Sequence, residues 1–339
     1  MNVDWLDKPY YSLNAYFKHV YGQKIYKIAV NAGLTCPNRD GTLDNRGCIF
    51  CSAGGSGDFA VDIGNEVYHR EYAGREGVNR RVLDVSRQIE RGMAKFNKSV
   101  GEKFVIYFQA YTNTYGDAEY LREIWTAALM HESVVGISIA TRPDCLPDEV
   151  LDVLAELNGK YCSEDSDLQQ RKFIWIELGL QTMHEKTAGY IRRHYPLAVY
   201  EEAVKRLCDI GIPYITHIIL GLPGETEEMM LETVRYVNRG VYGVCPQGIK
   251  LQLLHVLEGT DLADDYNSGE FEVLTQDAYI NLVIRCLQNI SEDVVIHRVT
   301  GDGPKSILIA PKWSSNKRCV LNSFHSRMRE LGARQGDSA

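Results

Sequence analysis

The chain has 339 residues, 45% of them hydrophobic and 24% charged, which is ordinary globular composition with length enough for a large core. The net charge of −8 argues against a general nucleic-acid coat, and nine cysteines, an odd number in a long chain, argue against a disulfide framework. No run of about 18 apolar residues exists, so no membrane span is expected, and the early acids of MNVDWLDKPYYSLNAYF read against a secretory leader, which makes the cytoplasm the expected compartment.

Six strand-then-helix units are predicted in chain order. A strand over Lys24–Val30 is followed late by a helix over Arg80–Phe96, where Val82, Val85, Ile89, Met93 and Phe96 recur at helical spacing. Phe104–Phe108 leads to a helix over Ala118–His131. Val134–Ala140 leads to one that opens at Pro147, a favoured first-turn residue, with Val150, Leu151, Leu154 and Leu157 on one face. Phe173–Gly179, Tyr214–Leu220 and Ile249–Val256 precede helices over Leu197–Ile210, Glu225–Arg239 and Gln276–Ile290. Strands alternating with helices imply an α/β fold with a parallel sheet, and right-handed crossovers curl it. The expected architecture is a partial (β/α)6 TIM-like barrel over residues 1–290. The runs VVIHRV and SILIAP then read as two short strands in a small C-terminal extension, residues 291–339.

In such a barrel the chemistry sits at the C-terminal ends of the strands. Polar and glycine-rich clusters fall there: Asn31–Ser56, Tyr111–Asp117, Thr141–Cys145 and Gly221–Glu225. The first, part of a loop spanning residues 31–57, holds Cys36, Cys48 and Cys51, spaced C-x11-C-x2-C. Thiolates are soft ligands for iron–sulfur clusters or zinc. A structural zinc site takes four ligands and this loop offers three. Three thiolates suit a four-iron cube that leaves one iron open to a substrate or cofactor. Phe50 stands beside the last cysteine, where it would shield a cluster, and Gly47, Gly54, Gly55 and Gly57 allow the backbone to fold closely around it.

The segments CPNRDGTLDNRGCIFC, FQAYTNTY, ATRPDCL, IELGLQT, ILGLPGET and IHRVTGDGPKSILIAPKWS together resemble the radical S-adenosylmethionine (SAM) superfamily, from about Tyr11 to Asn322. The superfamily's usual motif is C-x3-C-x2-C with an aromatic before the third cysteine. The C-I-F-C half is kept here and the first gap is widened to eleven. The long gap resembles the branch related to the catalytic subunit of Elongator, in a stand-alone bacterial group without the acetyltransferase domain. This resemblance implies a [4Fe–4S] cluster on Cys36, Cys48 and Cys51, with SAM on the open iron. It also implies reductive cleavage of SAM to a 5′-deoxyadenosyl radical and an electron donor of the flavodoxin or ferredoxin type. Carried over residue by residue, it places Thr112 in the turn that meets the methionine amine. Gln181 and Arg193, twelve residues apart, resemble ribose and carboxylate contacts, as a Gln amide and an Arg fork can provide. Gly221 to Glu225, with Pro223 and Gly224, resembles the adenine-side motif, and the backbone of Leu251–Val256 would meet the adenine edge. Two departures stand out. The turn around Thr112 lacks the usual glycines, and Ala140 stands where relatives often carry a ribose-contacting Glu.

Other residues have two readings each. Arg193 is a ligand or a solvated helix start. His217 faces the substrate or is a hydrogen-bonded core histidine. Cys145 is a reactive thiol or a plain buried one, and Tyr111 and Tyr115 stack on a base or pack. His297, Arg298, Asp302, Lys305 and Lys317 close the barrel or grip an anion. From Val295 onward eight Lys or Arg stand against three acids, a net of +5, and the remainder carries −13. The Elongator resemblance implies modification of tRNA at wobble uridine, with the basic tail as a contact. The competing readings are a radical enzyme acting on a small molecule or a protein side chain, and a non-enzymatic metal-binding module.

Overall fold

Seven segments, all but one rich in β-branched or aromatic residues, build one parallel sheet: β1 Tyr26–Val30, β2 Phe104–Phe108, β3 Val134–Thr141, β4 Ile174–Gln181, β5 Tyr214–Leu220, β6 Gly248–Leu253 and β8 Val295–Arg298. The computed structural model describes residues 5, 8–55, 75–96, 102–163, 171–301 and 303–339. Neighbours in the sheet follow chain order, so the sheet curls in one direction into a half-barrel, a partial TIM-like barrel. A two-residue strand, β7 (Val256–Leu257), leaves the barrel after Leu253 and pairs antiparallel with β9 (Leu308–Ala310).

The count is one strand more than the six predicted units. Val295–Arg298, the first of the two short strands past Ile290, pairs in parallel with β6 and joins the sheet rather than standing apart from it. The predicted strand over Ile249–Val256 is broken between Leu253 and Val256, where the chain leaves the barrel for the β7–β9 ribbon.

The outer face is covered by α2 Arg75–Ala94, α3 Ala118–Leu129, α4 Asp148–Cys162, α6 Leu197–Asp209, α7 Glu227–Arg239 and α9 Gln276–Gln288. Side chains alternate across a strand, and this separates two cores. Ile106, Phe108, Ile137, Ile139, Ile176, Leu178, Ile218 and Leu220 point outward into the helix layer. The intervening positions point into the barrel. Val105, Trp175 and Ile215 form an apolar floor there, together with Val135 and with Phe17 of α1 (Leu13–Tyr21). Phe17 stacks on Trp175 at 5.8 Å. Helix α1 is started by Ser12, whose hydroxyl accepts from the Ala15 N–H, and the Ile296 N–H donates to the Tyr11 carbonyl at 2.8 Å. The N-terminal segment thus seals both the barrel's base and its β8 edge. The short helices α5 Glu185–Tyr190 and α8 Asp261–Asn267 and the terminal α10 Lys317–Leu331 complete the chain.

Candidate active site

Above the apolar floor the half-barrel opens into a cavity of about 270 Å³ at the C-terminal ends of its strands. Cys36, Cys48 and Cys51 all line it. Their loop is drawn tight by its own backbone. Arg39 and Asp40 N–H groups donate to the Cys36 carbonyl at 2.8 and 3.1 Å, and Cys51 N–H donates to the Cys48 carbonyl at 3.0 Å. Asn38, fully buried, donates through Nδ2 to the Arg192 carbonyl at 2.8 Å and to the Cys48 sulfur at 3.4 Å. Arg39 donates to the carbonyls of Cys51 (3.0 Å) and Ser52 (2.5 Å). Gly55 has φ 62°, and a Cβ there would meet the Tyr111 ring at 2.9 Å, so only glycine lets the loop close on that ring. Phe50 lines the cavity, as its place beside Cys51 suggests, while residues 56 and 57 lie outside the described residues.

The thiols differ in basicity. The hydrogen bond from Cys51 pulls Cys48 down against burial, with Arg142, Asn38 and Arg39 adding, and the same contact, with burial, pushes Cys51 up. Burial raises Cys36, opposed by a hydrogen bond from Thr112. Among the described residues no three His, Cys, Asp or Glu side chains converge on one ion position. An iron–sulfur cube binds each thiolate to a different iron, so three thiolates on one wall of a shared cavity fit that group as a donor set.

Thr112, Gln181 and Arg193 line the same cavity. Thr112 is buried and its N–H donates to the Thr35 carbonyl at 3.2 Å, tying the β2 turn to the cysteine loop. Gln181 sits at φ 63° and Tyr111, which also lines the cavity, at φ 62°; left-handed non-glycine residues concentrate where a site demands them. The Gln181 amide folds back to donate to the carbonyls of Gly179 (3.1 Å) and Leu180 (2.8 Å). Arg193 is not a solvated helix start. It is 2% exposed, and its guanidinium donates to the carbonyls of Tyr195, Leu180 and Thr182 at 2.9, 3.2 and 2.6 Å and meets Glu185 at 3.3 Å. Gly221 (φ 89°) and Glu225 do not line the cavity. Glu225 accepts from the Thr182 hydroxyl at 2.5 Å, so it braces the exit of β4 from behind, and burial raises its pKa. Gln252, Leu253, Leu254 and His255 of the Leu251–Val256 segment do line it.

Of the residues with two readings, His217 satisfies both, since it lines the cavity and is hydrogen-bonded on each nitrogen, to Glu177 at 2.8 Å and Gln252 at 3.2 Å. Tyr111 lines the cavity and donates to the Ala53 carbonyl at 2.9 Å; Tyr115 pairs with the Thr42 hydroxyl at 2.9 Å. Cys145 is buried away from the cavity, and burial raises its thiol. The set His297, Arg298, Lys305 and Lys317 does not gather at one point. Arg298 lines the cavity, His297 is bonded to Gln247 at 2.9 Å, Lys305 is exposed and Lys317 begins α10. Asp302 lies outside the described residues.

Sequence reasoning singled out His217 but missed the polar layer to which it belongs. Glu177, fully buried in β4, accepts from Lys27 (3.0 Å), Ser138 (2.5 Å), His217 and Lys250, and Lys250 also donates to Tyr107 at 3.1 Å. Burial alone would raise the Glu177 carboxyl, but Lys250, Lys27 and His217 hold it well below the usual carboxylate range. Burial pulls Lys250 down to about 7, with Lys27 and Arg298 adding and Glu177 opposing; burial and Lys250 pull His217 down to about 4. The signal was present. Glu177, His217 and Lys250 are charged or titratable residues inside otherwise apolar strands, IELGL, ITHII and GIKLQL.

Residues 45–237 match the family model of the Radical SAM superfamily. The chain belongs to that superfamily. Residues 246–330 match the Radical_SAM C-terminal domain, and Cys48 and Cys51 fall inside the first match while Cys36 precedes it. The family implies a [4Fe–4S] cluster and SAM. The radical SAM chain is 42% identical to protein YtqA of Bacillus subtilis over 97% of its length and 92% of that protein's. It is 32% identical to protein YhcC of Escherichia coli over 92% of its length and 90% of that protein's. Elongator complex protein 3 of Schizosaccharomyces pombe is 25% identical across 91% of this chain and 58% of its own. Among solved structures, archaeal Elp3 of Methanocaldococcus infernus superposes with a TM-score of 0.62 at 16% identity over 92% of this chain and 64% of its own, a likeness of fold.

Proposed function

We propose that this radical SAM enzyme holds its cluster on Cys36, Cys48 and Cys51 and acts on a tRNA base, with wobble uridine as the target. The single observation that carries the first half is the convergence of the three cysteines, Thr112, Gln181 and Arg193 on one cavity at the strand ends. When bound, the reduced cluster supplies the electron that splits SAM and yields the adenosyl radical. The residues supply the rest. Asn38 and Arg39 fix the loop and place positive charge and N–H groups beside the sulfurs. Thr112 faces the cysteine loop at the position of an amine contact. Arg193, through its bonds to Leu180 and Thr182, sets the left-handed exit of β4 that presents Gln181. Phe50 and the apolar floor exclude water. Gly221 and Glu225 act from behind this wall as supports of the adenine side. An electron donor of the flavodoxin or ferredoxin type, in the cytoplasm, completes the system.

The RNA half is supported by the kinship with Elongator complex protein 3 and by the place of the basic segment. Gly303 and Pro304 line the cavity mouth, and exposed Lys305 follows directly, with Lys312 and Arg318 also exposed. We therefore read residues 291–339 as part of the reaction chamber's rim, with residues 1–290 carrying the cluster and the cofactor. Phosphate contacts release counterions, so tRNA affinity should fall linearly with salt on logarithmic axes. Neutralising Lys305, Lys312, Lys317 and Arg318 together should flatten that slope and leave SAM cleavage intact. Absence of tRNA binding at low salt would end the RNA reading and leave a small-molecule or protein substrate.

A further inference from the structure

Asn38 is fully buried two residues past Cys36, yet it does not line the cavity. It meets the cysteine loop from behind. Its Nδ2 carries two N–H bonds and both are engaged, one with the Arg192 carbonyl at 2.8 Å and the other with the Cys48 sulfur at 3.4 Å. Both partners are acceptors, which fixes the orientation of the amide. Its Oδ1 is left buried with no hydrogen-bond partner among the described residues. An orphaned acceptor costs stability that an apolar side chain of the same size would keep. What the amide alone supplies is two N–H groups on one uncharged nitrogen.

Several contacts hold that nitrogen in place. The Gly47 N–H donates to the Asn38 carbonyl at 2.6 Å, and the Ile49 N–H donates to the Ile191 carbonyl at 3.3 Å. The Leu262 N–H of α8 donates to the Ile49 carbonyl at 3.1 Å. Arg192, whose carbonyl anchors the amide, is left-handed at φ 56°, and its guanidinium pairs with Asp261 of α8. A donor fixed by its surroundings in this way stays on the sulfur and tunes a metal group bound there.

Reduction of an iron–sulfur cluster adds one electron and transfers no atom. The added charge spreads onto the sulfurs, so an N–H donor stabilises the reduced form more than the oxidised one and raises the potential. We propose that Asn38, acting through the Cys48 thiolate, raises the reduction potential of the cluster and so eases entry of the electron that splits SAM. The inference rests on reading Cys36, Cys48 and Cys51 as the cluster's ligands, and it is independent of the substrate. Asn38 is a positioning residue. Thr112 hydrogen-bonds the Cys36 sulfur as well, but it lines the chamber, whereas removing the Asn38 donor leaves the chamber wall in place.

The test reconstitutes the parent, Asn38→Leu and Asn38→Val anaerobically, assays iron and sulfide, and titrates each with dithionite and redox mediators without SAM. The reduced cluster is followed by electron paramagnetic resonance. Both variants should bind the parent's iron. At a fixed solution potential their ratio of reduced to oxidised cluster should be about tenfold lower, the loss of one charge-assisted hydrogen bond. For a one-electron couple that is a fall of about 59 mV. The sign is decisive, because water admitted by a merely loosened loop stabilises the more highly charged reduced cluster and moves the ratio upward. An unchanged or higher ratio in a variant that holds the parent's iron overturns the proposal. Loss of iron from both variants also overturns it and makes Asn38 a scaffold of the loop. A parent that binds no iron fails the cluster reading itself.

Discussion

Arg193 shows how a single buried cation in the cavity wall is committed to the backbone around it. Its guanidinium satisfies three main-chain carbonyls where β4 leaves the barrel. Truncation to Ala leaves those three carbonyls without their donor, at a cost of about 2–3 kcal/mol. Arg193→Ala should therefore lower the midpoint of urea unfolding. It should also weaken SAM binding, because Gln181 and the strand exit lose their brace. A stability loss with unchanged SAM affinity would confine Arg193 to a structural role. The family resemblance, through their place after β4 and their spacing, picked out Arg193 and Gln181 as a pair. It did not reveal that the arginine is turned toward the backbone, because hydrogen bonds to carbonyls leave no trace in residue type.

The strands carry the clearest sequence record and also its blind spot. Five of the six predicted strands agree with the observed ones within two residues at each end, and the helices after them lie where apolar spacing put them. The misses have a common physical cause. Val295–Arg298 is short, so its pattern does not tell a sheet strand from a stray one; pairing to β6 decides it. Glu177, His217 and Lys250 were legible as odd polar positions, but only the curl of the sheet brings three strands' inward residues into contact. That layer predicts an acid weakness. His217 is pulled down to about 4 from an ordinary 6.5 by burial and by Lys250 and Arg298, against Glu177. A folded-state pKa below the unfolded one means the unfolded chain binds more protons between those values. Stability is therefore lost as pH falls from about 6.5 to 4, by up to about 3 kcal/mol from this residue. Glu177, also depressed, adds a loss lower still as pH falls through its own folded pKa. Urea unfolding of His217→Gln across this range should show a flatter pH dependence than the parent. An identical slope would mean that His217 is not the titrating group.

At the level of the whole molecule, one curled sheet organises everything. Its outer face is an ordinary helix-packed core, its floor is sealed by Phe17 of the N-terminal helix, and its open end gathers three cysteines from one loop with polar residues from β2 to β6 and β8. No described helix is long and apolar enough to cross a membrane. The radical SAM assignment could be read from the cysteine spacing together with the strand-end motifs, whereas the substrate could not, because one fold hosts many reactions. The most direct test of the account is anaerobic reconstitution with iron and sulfide, read by metal analysis and visible absorbance. The account predicts about four irons per chain. It also predicts loss of most absorbance near ~400 nm when Cys36, Cys48 or Cys51 is changed to Ala, with Cys162, Cys208 and Cys319 variants unaffected. Stoichiometric zinc without iron, or a cluster that survives Cys36→Ala, would contradict it.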